Sequence, residues 1–252
     1  MCFELDSLPP IPPIRGAAVS HDDLVLEASD GNRFAAFEAV PDDPSGAGIV
    51  VLPDVRGLYR FYEELALRFA ERGHRAVALD YFGRTAGIGK RDDDFPYREH
   101  VAETTPEGIR ADVAAAVAHL RPNAAAIFTV GYCFGGRNSW LAAADGHGLA
   151  GAAGFYGSTG ERDGNPGPTQ RAAEMEAPIL ALQAGADPNI TAEMNDEFDR
   201  ALAQAGVEHE LVVYDGAPHS FFDRKQSEFA EASDDAWRRV LGFVDVHAPL
   251  SA

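Results

Sequence analysis

The chain has 252 residues, of which 46% are hydrophobic and 24% are charged. This composition is ordinary for a globular protein with a core of its own, so it excludes disorder, a collagen-like repeat and a coiled coil as descriptions of the whole chain. Acidic residues outnumber lysine and arginine by 40 to 21, giving a net charge of −19 that argues against nucleic acid or an anionic membrane surface as a partner.

Short apolar runs alternate with longer segments of helical period, which predicts a single α/β domain over residues 23–252 with a mostly parallel sheet. The turn signal Asp30-Gly31 predicts an antiparallel hairpin at the N-terminal end of this domain. Strands are predicted at residues 23–29, 32–40, 48–54, 74–83, 125–133, 150–157, 177–185 and 208–216. Helices are predicted at residues 60–73, 105–120, 135–144, 191–206 and 233–247. Residues 83–105 show no apolar period and are expected to form a lid or a binding loop.

The N-terminal residues and the use of cysteine indicate a cytoplasmic protein. Residues 1–22 contain four prolines near their start, where a signal peptide would have a basic and then an apolar region, so they are expected to form an extended segment. Cys2 and Cys133 are the only cysteines, too few for a disulfide framework. No apolar run approaches the roughly 18 to 20 residues that a membrane span needs.

The strongest chemical signal is Gly131-Tyr132-Cys133-Phe134-Gly135, at a predicted junction of strand and helix. This pattern is that of a nucleophile elbow with cysteine in the position that serine usually occupies. The positions two before and two after the nucleophile must be small, because the chain turns sharply between strand and helix. The alternative is a buried free cysteine that packs as a small apolar residue.

A cysteine nucleophile needs a base, and His219 is the best candidate. It follows the predicted strand 208–216 on a tight loop, where an imidazole could be held at the carboxyl end of a sheet. The other seven histidines fall at strand starts, in helices or in polar stretches, where a solvated surface role is expected: His21, His74, His100, His119, His147, His209 and His247.

The base in turn needs an orienting acid, for which Asp187 is preferred. It comes just after the predicted strand 177–185, and a carboxylate there can fix the tautomer of an imidazole by a hydrogen bond. Asp196 and Asp199, in the helix that follows, are the alternatives. Nucleophile, acid and base would then occur in the chain order used by α/β-hydrolases.

Together these motifs make the chain similar to the dienelactone hydrolase family, a cysteine-nucleophile branch of the α/β-hydrolases, from about residue 24 to residue 247. The segments that carry the resemblance are 52–58, 79–84, 131–136, 185–187 and 218–222. The resemblance implies an α/β-hydrolase fold and hydrolysis of a lactone or ester, such as a dienelactone (carboxymethylenebutenolide), through a thioester.

The same resemblance implies roles for individual residues. Cys133 would attack the carbonyl carbon, His219 would shuttle the proton, and Asp187 would hold His219. Backbone N–H groups of Val55 and Phe134 would form the oxyanion hole.

Two family positions concern charge near the thiol and the substrate. Asp54 stands where the best-known members carry a glutamate that contacts the resting thiol, and Arg84 matches a position that binds a substrate carboxylate. A second such arginine is usual four residues after the histidine, where this chain has Asp223 with Arg224 beside it.

Two other classes of function stay open at the level of sequence. One is a general carboxylesterase or thioesterase with the same triad, and the other is a non-catalytic binding protein with a hydrolase fold. No glycine-rich phosphate loop follows the first parallel strand and no His or Cys pair has ligand spacing, so neither a dinucleotide nor a metal is expected. We expect no cofactor, a small-molecule lactone or ester substrate, and a monomer or small homo-oligomer.

Overall fold

A computed structural model describes residues 6–92, 94–222 and 227–248 of the chain. Its framework is one sheet of eight strands. The strands are β1 (Val19–Glu27), β2 (Arg33–Pro41), β3 (Ala47–Leu52), β4 (Arg75–Leu79), β5 (Ala126–Tyr132), β6 (Gly151–Phe155), β7 (Ile179–Ala184) and β8 (His209–Tyr214).

The strands lie side by side in the order β1-β2-β4-β3-β5-β6-β7-β8. The first two form the predicted antiparallel hairpin, and β2 is also antiparallel to β4, whereas every other neighbouring pair is parallel. The sheet is therefore mostly parallel, as predicted, and has the α/β-hydrolase architecture. β1 begins at Val19, inside the segment 1–22 that was expected to be merely extended.

Seven α-helices are found in the described residues: α1 (Arg60–Ala70), α2 (Gly83–Ala86), α3 (Tyr97–Ala102), α4 (Pro106–Leu120), α5 (Phe134–Ala142), α6 (Ala192–Ala205) and α7 (Ala230–His247). Five of them match predicted helices, but α2 and α3 lie inside the segment predicted as a loop. They are four and six residues long, too short for a helical period to be recognised. In the part of the chain that the structure describes, no helix is long and apolar enough to cross a bilayer.

The central strands are buried at every position because helices cover both faces of the sheet. Side chains alternate between the two faces, so Ile49 and Val51 of β3 join one apolar cluster, and Val50 and Leu52 join another. Residues of α1 and α7 complete the first cluster, and residues of α4 complete the second. The core therefore lies in two layers, one on each side of the sheet.

The parallel strands β5, β6, β7 and β8 are consecutive neighbours. Their carboxyl ends consequently meet at one edge of the sheet, which is where open α/β sheets bind their ligands. Cys133 follows β5, Asp187 follows β7 and His219 follows β8. The sheet order thus brings three distant parts of the sequence to the same edge.

Candidate active site

Cys133 occupies a sharp turn between β5 and α5. Its backbone has φ 56° and ψ −111°, in the left-handed region that residues other than glycine seldom adopt. The Cys133 N–H donates to the carbonyl of Phe155 at 3.0 Å, which anchors the turn to the end of β6. Cys133 is a free cysteine that is partly exposed to solvent. A strained residue held in this way is a common feature of active sites.

The two glycines that flank Cys133 cannot be replaced without a clash. A Cβ on Gly131 would overlap the carbonyl oxygen of Gly135, and a Cβ on Gly135 would overlap the carbonyl oxygen of Leu52. The obstructing atoms belong to backbone, which cannot move aside as a side chain can. The close approach of β3, β5 and α5 at the elbow therefore requires glycine at both positions.

His219 and Asp187 are directly bonded. The imidazole Nδ1 lies 2.5 Å from Oδ2 of the buried Asp187 carboxylate, and Oδ1 accepts the backbone N–H of Asn189 at 2.9 Å. Burial acts to raise the pKa of Asp187, but the hydrogen bonds from His219 and Asn189 outweigh burial and hold that pKa below its usual value. Asp187 is thus an ionised partner for one nitrogen of His219.

The two alternative acids lie elsewhere. Asp196 and Asp199 are exposed on α6, and Oδ1 of Asp199 is 3.3 Å from Nε2 of His209. Neither carboxylate is bonded to His219 in the described structure, so the geometry favours Asp187 among the three candidates.

Tyr156 connects the imidazole with the elbow, and sequence analysis did not identify it. Its ring centroid lies 4.9 Å from that of His219, and it directly follows Phe155, whose carbonyl accepts the Cys133 N–H. Tyr156 is fully buried and has φ 37°, another strained backbone. The sequence signal that could have identified Tyr156 is an aromatic residue at the carboxyl end of a predicted strand. Cys133 and His219 are therefore both neighbours of the Phe155-Tyr156 pair.

Val55 and Phe134 follow two neighbouring parallel strands, because β3 pairs with β5 up to Leu52 and Gly131. Phe134 is the first residue of α5, where a backbone N–H has no acceptor within the helix. Among the residues that the structure describes, neither the Val55 N–H nor the Phe134 N–H donates to an acceptor. Two unused donors at the ends of adjacent strands can serve a developing oxyanion.

Asp54 stands at the position of the family glutamate that contacts the thiol, and its own contacts are with the turn that follows β3. Its buried carboxylate accepts from the Arg56 guanidinium at 3.0 Å, from the Tyr59 hydroxyl at 3.1 Å and from the Arg56 N–H at 2.8 Å. The Asp54 carbonyl also accepts the Gly57 N–H at 3.1 Å. These bonds satisfy the carboxylate and close the turn that contains Val55. Asp54 is thus a residue that shapes this turn.

Tyr81 contacts the turn that contains Val55, a role that sequence analysis did not predict. Its hydroxyl donates to the carbonyl of Pro53 at 3.0 Å, and its ring packs edge-on against Phe134 at 5.2 Å between centroids. Burial raises the pKa of Tyr81 well above its usual value, and the charges of Asp54 and nearby groups, Cys133 among them, raise it further. The phenol therefore stays protonated and keeps its bond to Pro53.

Arg84 was expected to bind a substrate carboxylate, but its guanidinium is already bound by two carboxylates of the protein. Nη2 lies 2.7 Å from Asp30 Oδ2, and Nη1 lies 2.5 Å from Oδ2 of Asp112, which is buried. Asn32 donates to the other oxygen of Asp112 at 2.9 Å. This network connects the N-terminal hairpin to α4. Because both carboxylates already compensate the Arg84 charge, the geometry favours a structural role for Arg84.

Replacing Arg84 by alanine is expected to lower the free energy of unfolding by about 3 kcal/mol, because it leaves the buried Asp112 carboxylate without its cation. Urea unfolding followed by circular dichroism measures this change. A double variant with Asp112→Asn as well should be less destabilised than the two single variants combined. An Arg84→Ala protein of unchanged stability whose KM rises only for carboxylated substrates would contradict this assignment.

Three residues named from the sequence, Cys2, Asp223 and Arg224, lie outside the described residues. Within the described ranges, no group of three or more His, Cys, Asp or Glu side chains is arranged to hold a metal ion.

A cavity of about 730 Å³ adjoins the elbow. Phe134, the residue after Cys133, forms part of its wall, together with residues of α3, α4 and α5 and of the segment after β6. Its polar lining includes the arginines Arg98, Arg110, Arg137, Arg162 and Arg171 and the acids Glu107, Asp145 and Asp163. Sequence analysis did not foresee this concentration of arginine in a protein of net charge −19.

Comparison with known proteins gives consistent matches. A sequence model of the dienelactone hydrolase family matches residues 34–247. A carboxymethylenebutenolidase of Rhodococcus opacus is 29% identical over 255 residues, covering 97% of this chain and 96% of the relative. An Escherichia coli (strain K12) protein provisionally named as a carboxymethylenebutenolidase is 30% identical over 226 residues, covering 84% of this chain and 82% of the relative. The crystal structure of a provisionally named dienelactone hydrolase from Klebsiella pneumoniae has a TM-score of 0.77 and 26% identity, covering 90% of this chain and 98% of that chain.

Proposed function

The chain belongs to the dienelactone hydrolase family and is a hydrolase of ester or lactone bonds, and from this premise we propose that it acts through a Cys133-His219-Asp187 triad and a thioester intermediate. The observation that carries the proposal is the 2.5 Å bond between His219 Nδ1 and Asp187 Oδ2, at the sheet edge where the strained Cys133 is presented. A base oriented by an acid beside a presented nucleophile is the arrangement that covalent catalysis needs.

The first step is transfer of the thiol proton of Cys133 to Nε2 of His219. Asp187 accepts the Nδ1–H bond, which fixes the tautomer that has its proton on Nδ1, so that Nε2 can act as the base, and it stabilises the imidazolium that forms. The thiolate is the reactive form of cysteine, and its charge lies at the start of α5, where the helix dipole favours a negative group.

The thiolate then attacks the carbonyl carbon, and the C=O electrons move onto oxygen. The N–H groups of Val55 and Phe134 donate to this oxyanion. Collapse of the intermediate breaks the C–O bond of the ester, and the imidazolium returns its proton to the leaving oxygen. In a lactone, that oxygen stays attached to the acyl chain, so the whole ring-opened product is held on sulfur.

Water completes the turnover. His219 removes a proton from the water as it attacks the thioester carbonyl, and the C–S bond breaks to give the carboxylic acid product. The proton on His219 returns to the Cys133 sulfur or to solvent. No cofactor enters any of these steps.

Trapping the thioester tests the proposal directly. The protein is mixed with p-nitrophenyl acetate, quenched in acid within milliseconds and digested, and the peptides are weighed by mass spectrometry. We expect an acetyl group on the peptide that contains Cys133, removable by neutral hydroxylamine, and none on the Cys133→Ala protein. An acetyl group on another residue, or turnover without acylation, would contradict the proposed intermediate.

The substrate that we propose is a dienelactone, since the Rhodococcus opacus relative is a carboxymethylenebutenolidase matched over 96% of its length. A general carboxylesterase or thioesterase would use the same triad. Relative kcat/KM values on carboxylated lactones, neutral p-nitrophenyl esters and acyl thioesters separate these possibilities. We propose that the protein works on a small molecule in the cytoplasm, as a monomer or small homo-oligomer.

A further inference from the structure

The turn after β3 is held at its last residue by two segments that are remote in sequence. We call residues 54–58 the Val55 turn, because they carry the Val55 N–H, one of the two donors proposed for the oxyanion. The Leu58 N–H donates to Oδ1 of Asp80 at 3.1 Å, and the Leu58 carbonyl accepts the N–H of Arg91 at 2.8 Å. Asp80 directly follows β4, and Arg91 lies between α2 and α3.

Asp80 and Arg91 are also bonded to each other through their side chains. The guanidinium Nε lies 3.1 Å from Oδ1 of Asp80, and Nη2 lies 2.8 Å from Oδ2. The carboxylate is fully buried, and the Arg91 side chain is 6% exposed. A fork of two bonds fixes the orientation of a carboxylate as well as its position. Since Oδ1 also accepts the Leu58 N–H, Arg91 determines where that acceptor lies.

The Asp80 carboxylate packs closely against the backbone of the Val55 turn. Gly57 has φ 80°, and a Cβ built on it would overlap Oδ1 of Asp80. The Gly57 N–H donates to the Asp54 carbonyl at 3.1 Å, which closes the turn around Val55. A displacement of the carboxylate would therefore move the residues that determine how this turn closes.

Further contacts keep the Arg91 side chain beside Asp80. Nη2 donates to the Gly87 carbonyl at 2.8 Å, and the guanidinium carbon lies 4.7 Å from the centroid of the Phe95 ring and 5.9 Å from that of Phe82. Without Arg91, the Asp80 carboxylate would be a buried charge that has lost its cation. Such a charge is unfavourable, so the loss of Arg91 favours displacement of the carboxylate.

Lys90, the preceding residue, binds a different part of the protein. Its ammonium pairs with Asp23 of β1 at 2.7 Å and with Glu63 of α1 at 2.8 Å, and its side chain is 41% exposed. Both carboxylates lie outside the Val55 turn. Two adjacent cations therefore have different roles: Lys90 attaches this segment to β1 and α1, whereas Arg91 attaches it to the Val55 turn.

We propose that Arg91 is a positioning residue for the oxyanion hole. Through Asp80 and Leu58 it fixes the Val55 turn, and this holds the Val55 N–H in place before the reaction begins. Donors that are already in place stabilise a developing charge best, since no rearrangement of the protein then opposes the reaction. The inference rests on the proposed function, because the Val55 N–H has this role only if an oxyanion forms beside Cys133.

Turnover of p-nitrophenyl acetate by Arg91→Met gives the first measurement. Methionine is a long, unbranched side chain that donates no hydrogen bond. Acylation and deacylation both pass through an oxyanion, so we expect kcat to fall about 10- to 100-fold and KM to change less than about threefold. A loss confined to KM would overturn the proposal.

Two reactions of the Cys133 sulfur separate the oxyanion hole from the rest of the site. When the thiolate adds to the carbonyl carbon of trifluoroacetone, the C=O electrons move onto oxygen and give a hemithioketal oxyanion. Alkylation by iodoacetamide displaces iodide from carbon and forms no oxyanion, although it needs the same thiolate. Arg91→Met should raise the inhibition constant of the ketone by the factor by which it lowers kcat, and it should leave the alkylation rate within about threefold. Both are measured in a Cys2→Ala background, in which Cys133 is the remaining cysteine.

Lys90→Met is the matched control, since it makes the same replacement at the adjacent residue. It should leave kcat, the inhibition constant of the ketone and the alkylation rate within about twofold of the parent. Arg91→Lys keeps a charge beside Asp80 but loses the fork, so it should lower kcat by about three- to tenfold and raise the inhibition constant equally. This milder variant keeps the proposal testable if Arg91→Met does not fold.

The parent protein separates failure of this inference from failure of the proposed function. Fluorine NMR detects the ketone adduct, and mass spectrometry detects the acetyl group on Cys133. A parent that forms neither would overturn the proposed function, and this inference with it. A parent that forms both would leave the proposed function standing. In that case, unchanged ketone inhibition in the Arg91 variants, an alkylation rate that falls with kcat, or an equal loss in Lys90→Met would overturn the inference alone.

Discussion

Replacing Cys133 by alanine is expected to lower kcat/KM for ester hydrolysis by at least about 10⁴-fold, the loss usual when a triad nucleophile is removed. The reason is that the thioester route cannot begin without the sulfur, and the remaining donors can only stabilise a slow direct attack by water. Stopped-flow or continuous assays with p-nitrophenyl acetate measure the loss, after correction for hydrolysis in buffer.

The chain offers a matched control in its second cysteine. Cys2→Ala should retain full activity, since the cysteine in the elbow motif is Cys133. Circular dichroism and the thermal midpoint of the Cys133→Ala protein should stay close to those of the parent, because the substitution removes one partly exposed sulfur. Survival of more than a few per cent of the activity would show that another residue is the nucleophile.

Replacing Asp187 by asparagine is expected to lower kcat by about 10⁴-fold with little change in KM. The amide is close in size to the carboxylate, but it cannot stabilise the imidazolium of His219, and its NH₂ group favours the tautomer with the proton on the wrong nitrogen. Asp196→Asn, an equivalent change on the exposed face of α6, should leave kcat unchanged. Equal kcat values for the parent and the Asp187→Asn protein would remove Asp187 from the catalytic machinery.

The pH dependence of unfolding gives an independent measurement of the same interaction. The pKa of Asp187 is lowered in the folded protein, so its ionised form stabilises the fold at pH values above its ordinary pKa. That contribution is lost as the pH falls through the lowered pKa. The difference in unfolding free energy between the parent and Asp187→Asn should therefore shrink in acid, below about pH 4. A difference that grows in acid would contradict the direction of the shift.

The elbow shows how much of the candidate site could be predicted from the sequence. Positions 131 and 135 require glycine for a local steric reason. A Cβ at Gly131 would clash with backbone four residues away, and a Cβ at Gly135 would clash with backbone at the end of the neighbouring strand β3. The pattern around Cys133 therefore contains the constraint in one short segment. Asp187 and His219 follow predicted strands, and parallel strands deliver the residues after them to one edge of the sheet.

Arg84 and Asp54 show where such reasoning stops. Both are charged residues at positions that resemble a family site, but the partners of a charge are set by what the fold brings beside it. Asp30 is 54 positions from Arg84 in sequence and Asp112 is 28 positions away, and the packing of the hairpin against α4 makes them its ligands. Arg137 is a further case, because its buried guanidinium donates to the backbone carbonyls of Ser158, Gly160 and Pro166, which are 21 to 29 positions away in sequence.

The sequence by itself was enough to determine the mostly parallel α/β fold, the elbow, and the strand ends after which Asp187 and His219 lie. The signals were the alternation of apolar runs, the glycines around a cysteine and the turn residues. Those features depend on contacts within a few residues or on the repeat of a strand or helix. Tertiary structure alone decided which charges are already compensated and which are not. That distinction depends on burial and on distances between segments that are remote in sequence. Burial removes water from a charged group, which is unfavourable unless a group of opposite charge lies beside it.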